Sequence, residues 1–255
     1  NKELINNIYN NECKISEVNY ISEHINELVY KDSVCILDDN KLVGIIGGEH
    51  SVPYGLIQAL ANRYEHFGIL HIDAHHDLRR AFEGYTYSHA SIIYNILENI
   101  PQVSSVVSIG IRDFCKEEFI YAKNNSKLYT LYDYQLFESK TQRTNNFIQL
   151  IKDALTRLPT SVYVSFDIDG LLPSYCPGTG TPVPGGIDFN EAIYIIKLLS
   201  QLNKVIIGFD LCEVSPSQIN PLFDGNVGAR VLYKLCGAMA YTNQLYDLSK
   251  KGVLI

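Results

Sequence analysis

The chain has 255 residues, 46% hydrophobic and 19% charged, enough for one large domain with a substantial core. A formal net charge of −7, with no basic cluster larger than the pair Arg79–Arg80, argues against a nucleic-acid surface. No apolar run approaches the roughly 20 residues of a bilayer span and no signal peptide is visible, so the expectation is a cytoplasmic protein with no membrane partner.

In chain order, residues 1–40 read as mostly helical, with a hairpin expected at Asp38-Asp39-Asn40. Short runs rich in Val and Ile then predict buried strands at 42–46, 67–73, 105–110, 162–168 and 205–211. Between them, helical spacing of apolar residues predicts helices over 52–64, 88–98, 146–157, 188–202 and 227–242. Asp188 with Glu191 three residues on is a capping box that opens one of these helices. Near-continuous apolar strands alternating with helices indicate a parallel sheet covered on both faces. There is no internal repeat or linker, and the reading is a single α/β domain over 1–255. The six cysteines lie far apart without a C-x-x-C pair, and read as reduced core thiols.

Polar clusters fall where the predicted strands end, which is where open parallel sheets bind ligands. The run His71-Ile72-Asp73-Ala74-His75-His76-Asp77 sets Asp73, His75 and Asp77 at every second position, one face of an extended chain. Asp167 and Asp169 repeat that spacing, and His50 follows the first strand. Carboxylates so crowded repel unless a cation neutralises them. Two histidines and four aspartates are too many for one tetrahedral zinc but suit two ions sharing carboxylates, and the oxygen-rich set favours Mn²⁺. Two ions about 4 Å apart lower the pKa of a shared water, so metal-assisted hydrolysis is the reaction class the residues suggest.

Four blocks in order extend this: Gly47-Gly48-Glu49-His50-Ser51; Asp73-Ala74-His75-His76-Asp77; Ser165-Phe166-Asp167-Ile168-Asp169-Gly170 running into Pro177-Gly178-Thr179-Gly180-Thr181-Pro182; and Glu213-Val214-Ser215-Pro216. Together they resemble the ureohydrolases, the group of arginase, agmatinase and formimidoylglutamase. The resemblance implies a three-layer α/β/α arginase-like fold with a mainly parallel sheet and two Mn²⁺ per chain. It places one ion on His50, Asp73, Asp77 and Asp167, and the other on His75, Asp73, Asp167 and Asp169. His89 would shuttle protons, and Glu213 would pair with the N–H groups of a small guanidino or amidino substrate. A metal-bridging hydroxide would attack the central carbon, with a proton relayed through Asp77 or His89. A homo-oligomer, trimer or hexamer, is also implied.

The Gly-Gly-Glu-His-Ser and Glu-Val-Ser-Pro forms favour the agmatinase branch, agmatine giving putrescine and urea. Formimidoylglutamate is the runner-up, since its carboxylates would want Arg79, Arg112 or Arg230 near the mouth, and arginine ranks third. A non-catalytic metal-binding regulatory homologue is the rival from another class, and a single-zinc deacetylase-like centre a third reading. Leu172 stands where the family usually has Asp, so a changed loop with the metal ligands retained is expected. Only 46 residues precede Gly47, fewer than the family usually carries, so the N-terminal portion is either absent from this sequence or shortened. His24, His66 and His71 read as capping or hydrogen-bonded residues, His76 as pointing away from the ligands, and Arg79 and Arg80 as surface or salt-bridged.

Overall fold

Every residue of Phe67–Ile72 is buried, as an apolar run covered on both faces requires, and this strand, β2, lies inside a six-stranded sheet. The computed structural model describes residues 2–141, 147–218 and 220–245, with side chains from residue 14 onward. The other strands are β1 (Gly44–Ile46), β3 (Val103–Ile111), β4 (Leu128–Tyr132), β5 (Ser161–Asp167) and β6 (Val205–Cys212). Their order is β1-β6-β5-β2-β3-β4 and every pairing is parallel.

Alternate residues of the strands feed two cores. One face receives Ile69, Val106 and Tyr163, packed under α1 (Lys2–Asp38), α2 (Tyr54–Ala61), α3 (Ile92–Asn99) and α4 (Lys116–Asn124). The other receives Leu70, Val107 and Val164, packed under α5 (Asp133–Thr141), α6 (Phe147–Leu155), α7 (Phe189–Gln201) and α8 (Pro221–Thr242). This is the three-layer α/β/α architecture expected, and among the described residues the sheet is parallel throughout. Gly55 brings α2 against α1 backbone to backbone, because any Cβ there would strike the carbonyl oxygen of Asn26.

The five predicted strands are present within two residues at each end. The Asp188–Glu191 capping box opens α7 as read, with both reciprocal bonds made. The predicted helix at 146–157 appears as α6, residue 146 lying outside the described residues. The hairpin at Asp38-Asp39-Asn40 does not form. Asn40 takes φ +57°, its N–H bonds to Leu37 O at 2.9 Å, and Lys41 N–H reaches Ile36 O at 3.3 Å. That is a Schellman cap ending α1, with Asn supplying the left-handed residue. The α4-β4-α5 run went unpredicted because β4 is a half-buried edge strand and α5 is mostly polar, so neither shows a long apolar pattern. Of the cysteines described, Cys176 and Cys212 are core thiols, while Cys35 and Cys236 are exposed, contrary to the uniform reading; the side chain of Cys13 lies outside the described residues.

Chain direction positions the site. From β2 the chain moves outward to β3, and from the neighbouring β5 it moves the other way, to β6. The carboxyl ends of β2 and β5 thus flank a topological switch point, where the diverging loops open a crevice.

Candidate metal centre

Asp73 follows β2 and Asp167 ends β5, on the two sides of that switch point. His50 arrives from β1, on a loop pinned to β6 by Gly47 N–H to Leu211 O at 3.0 Å and Glu213 N–H to Gly48 O at 2.8 Å. The His50 ring is buried, and its Nδ1 lies 3.0 Å from Asp73 Oδ2, 3.2 Å from Asp77 Oδ2 and 3.3 Å from Asp167 Oδ2. On the other side, His75 Nδ1 lies 3.1 Å from Asp169 Oδ2 and 3.5 Å from Asp73 Oδ1. Asp73 therefore turns one oxygen towards each imidazole. All six residues named from the sequence meet in one place.

They do not converge by strand alternation, as the spacing suggested. β2 stops at Ile72, and Asp73 Oδ1 accepts the His75 N–H at 2.6 Å in a tight loop. Asp77 then reverses direction at φ +54°, an unusual value for a residue with a Cβ and one that clusters at functional sites. Asp169 likewise sits beyond β5 in a 3-10 turn, where its N–H donates to Asp167 Oδ1 at 2.8 Å. Short side chains that cap their own loops are what make these turns possible.

A surrounding set of hydrogen bonds orients the cluster. His50 Nε2 faces Ser165 Oγ at 2.8 Å and Asp210 Oδ1 at 3.4 Å, which directs Nδ1 at the carboxylates. His71, read as a hydrogen-bonded histidine, is one, but its partner is Asp73: Nε2 to Oδ2 at 2.9 Å, with Nδ1 on Ser108 Oγ at 3.1 Å. Its place two residues before Asp73 was the available signal. Thr181 Oγ1 donates to Asp169 Oδ2 at 3.3 Å, and the Ala74 N–H to Asp169 Oδ1 at 3.0 Å. His76 points away as expected, edge-on to Phe114 and Tyr132, and burial drives its pKa down to about 3.

Beside the cluster, a cavity of ≈ 180 Å³ is lined by His75, Asp77, Arg79, His89, Asp113 and Thr181. His89 opens the 3-10 turn His89–Ser91, half-exposed, with Nδ1 3.9 Å from Glu49 Oε2. Glu213 leaves β6 at φ +62° and accepts the His50 N–H on Oε1 at 3.1 Å; burial raises its pKa, partly opposed by His50 and His89. Arg112 is not available to a ligand. Its Nε and both terminal nitrogens donate to backbone carbonyls, among them Asp169 O at 2.7 Å, Val183 O at 3.0 Å and Gly110 O at 3.1 Å. Arg79 is held by Glu118 at 3.1 Å and lies over Phe82, and Arg230 bonds Asn226 on α8. Leu172 lies outside the carboxylate group, its N–H on Ile187 O at 3.0 Å.

The charges fit a divalent cation. Burial pushes Asp77 and Asp167 up, and neighbouring Asp73 and Asp169 push them further, well above the usual carboxylate range. Burial lowers His50 and His75, yet the surrounding aspartates overcome it, raising His50 well above 6.5 and His75 to about 11. Asp73 goes the other way: burial raises it, but His71, His50 and His75 overcome this and hold it well below the usual carboxylate range. Two buried acids and two imidazoles that favour extra protons, gathered round one ionised carboxylate, form a cage short of positive charge. Among the described residues three groups of atoms lie close enough to share an ion, and Asp73 belongs to two of them: with His50, His71 and Asp77, and with His75 and Asp169. The third is His50, Asp210 and Cys212, and Asp167, 3.3 Å from His50 Nδ1, belongs to none of the three.

Residues 5–237 match the family model described as Arginase family. The chain belongs to the arginase family. It is 37% identical over 182 residues to an agmatinase of Bacillus cereus, covering 71% of this chain and 58% of that protein. It is 31% identical over 198 residues to an N(1)-aminopropylagmatine ureohydrolase of Thermus thermophilus, covering 77% and 63%. This arginase-family chain thus spans less than two thirds of the length of these curated relatives. Among solved structures it superposes on the agmatine ureohydrolase of Thermoplasma volcanium with a TM-score of 0.70 at 26% identity, covering 89% of this chain and 72% of that one. An arginase from Medicago truncatula gives 0.71 at 25%, covering 85% and 66%.

Proposed function

We propose that this chain is a manganese-dependent ureohydrolase, one domain over residues 1–255, that hydrolyses agmatine to putrescine and urea. The observation that carries the reading is the division of Asp73 between His50 and His75, with Glu213 bonded to the backbone of the same loop. His50, Asp73, Asp77 and Asp167 would hold one ion, and His75, Asp73, Asp167 and Asp169 the other. Bound there, two ions supply Lewis acidity and lower the pKa of the attacking water.

The protein's own groups do the rest. Glu213, ionised, pairs with the N–H groups of the guanidinium, a charge-assisted contact that orients the central carbon. His89, at the cavity wall with Asp77, would supply the proton that the departing amine needs, and Glu49 lies 3.9 Å from its Nδ1. A cationic amine suits a cavity with Asp113 on its wall and with Glu49 and Glu213 close to His89, which also lines it. The carboxylates of formimidoylglutamate meet no free guanidinium there, because Arg79 and Arg112 are committed to protein partners. The enzyme is expected to be cytoplasmic and oligomeric; among the described residues no helix is long and apolar enough to cross a membrane.

The test is urea and formamide release with Mn²⁺ from agmatine, N(1)-aminopropylagmatine, arginine and formimidoylglutamate. Agmatine should give the highest kcat/KM. Bound manganese without turnover on any of the four would instead support a regulatory homologue.

A further inference from the structure

The inward face of α1 is docked on the fold: Asn26, Ser33 and Leu37 are buried, and Asn19 bonds both Gly84 O at 3.0 Å and the Thr86 N–H at 2.9 Å. Beside that face runs a second apolar stripe that none of the described residues covers. Val18, Ile21, Ile25 and Leu28 are 41%, 48%, 44% and 48% exposed. Their spacing of three, four and three residues is the a/d repeat of a coiled-coil seam. A helix already docked on its own fold has no need of a second apolar face towards water.

We infer that α1 is an interface between two copies of this chain, packed helix to helix in antiparallel. The stripe reads the same in both directions. A two-fold axis between Ile21 and Ile25 sets Val18 against the partner's Leu28 and Ile21 against the partner's Ile25, and repeats both contacts. The charges single out the antiparallel arrangement. Along the outer flank of the seam, one heptad apart, stand Glu17, His24 and Lys31. Antiparallel packing brings Glu17 opposite the partner's Lys31 on both sides of the axis. Parallel packing would bring this flank opposite Ser22, Val29 and Ile36 and make no ion pair. Lys31 is 62% exposed and pairs with Glu27 on the same helix surface, an exposed contact that leaves it able to turn to a second acid. The inference is independent of the metal centre, which lies at the carboxyl ends of the strands.

The experiment uses the full chain with Cys35→Ser and Cys236→Ser. Light scattering should show the particle mass halved by Ile21→Glu with Ile25→Glu, whatever other interfaces exist. Glu17→Lys should weaken pairing at least several-fold, and Lys31→Glu added to it should restore pairing. Because the acidic variants could disturb the helix, oxidative cross-linking supplies a gentler readout. A mixture of Ile21→Cys and Ile25→Cys chains should form disulfide-linked dimers, and neither alone should. Unchanged mass, an absence of cross-links in the mixture, or efficient cross-linking of a single variant would each overturn the inference.

Discussion

The backbone N–H of His50 donates to Oε1 of Glu213 at 3.1 Å, so the Glu213 side chain ties the loop after β6 to the backbone of the loop after β1. The carboxylate is fixed from behind, leaving its other oxygen free for a substrate. Glu213→Gln keeps an acceptor for this bond but removes the charge. The expected outcome is a fall in kcat/KM of about 10–100-fold, the value of a charged hydrogen bond. Metal content should be unchanged, and a variant with full activity would remove Glu213 from substrate binding.

Asp73 stands between the two imidazoles, whereas Asp169 faces only His75 among them. If the proposed pair of manganese ions is bound, mass spectrometry of dialysed protein should show Asp73→Asn losing both and Asp169→Asn losing chiefly one. His71→Leu, which deletes a bond to Asp73 without touching the other ligands, should weaken metal affinity by about 10–100-fold. Equal losses in Asp73→Asn and Asp169→Asn would contradict the shared role of Asp73.

Gly178 packs against the Ser215–Ser217 backbone so closely that any Cβ would collide with Ser215 O. Gly178→Ala must push this loop, and Glu213 just before it, out of place. A stability loss of about 1–3 kcal/mol by urea denaturation is expected, typical of overpacking. Turnover should fall further than the folded fraction does; wild-type stability in the variant would show that the loop yields freely.

Alkali should find a weak point at Tyr54. Its phenol is buried, and burial first, then Tyr87, raise its pKa from 10 to about 12. The neutral phenol is the form the fold accepts, so its contribution is fully present below pH 10 and is lost as pH rises through 12. The shift corresponds to about 2–3 kcal/mol at most. Tyr54→Phe should lose less stability than the parent protein between pH 9.5 and 12 in urea titrations. Parallel curves for the two proteins would exclude Tyr54 as a cause.

Placing at Leu172 the Asp that the family resemblance implies should change little at the candidate metal centre. The loop there is held by backbone bonds, Leu172 N–H to Ile187 O at 3.0 Å and Tyr175 N–H to Leu172 O at 2.9 Å. Leu172→Asp is expected to leave manganese stoichiometry unaltered. A gained ion would show that this position reaches the centre after all.

Local pattern by itself determined the parallel α/β class, five of the strands, the α7 cap and the six residues that gather at the centre. These depend on side-chain period and on residue types within a few positions, which a linear reading contains. Tertiary structure alone decided why they gather. Strand order is non-local, and only the order β1-β6-β5-β2 reveals that Asp73 and Asp167 flank a switch point. It also decided that Arg112 is spent on carbonyls, that His71 and Ser165 orient the cluster, and that the stripe on α1 faces outward. Each of these is a question of which partner, distant in sequence, satisfies a buried donor or covers an apolar face, and residue spacing is silent on that.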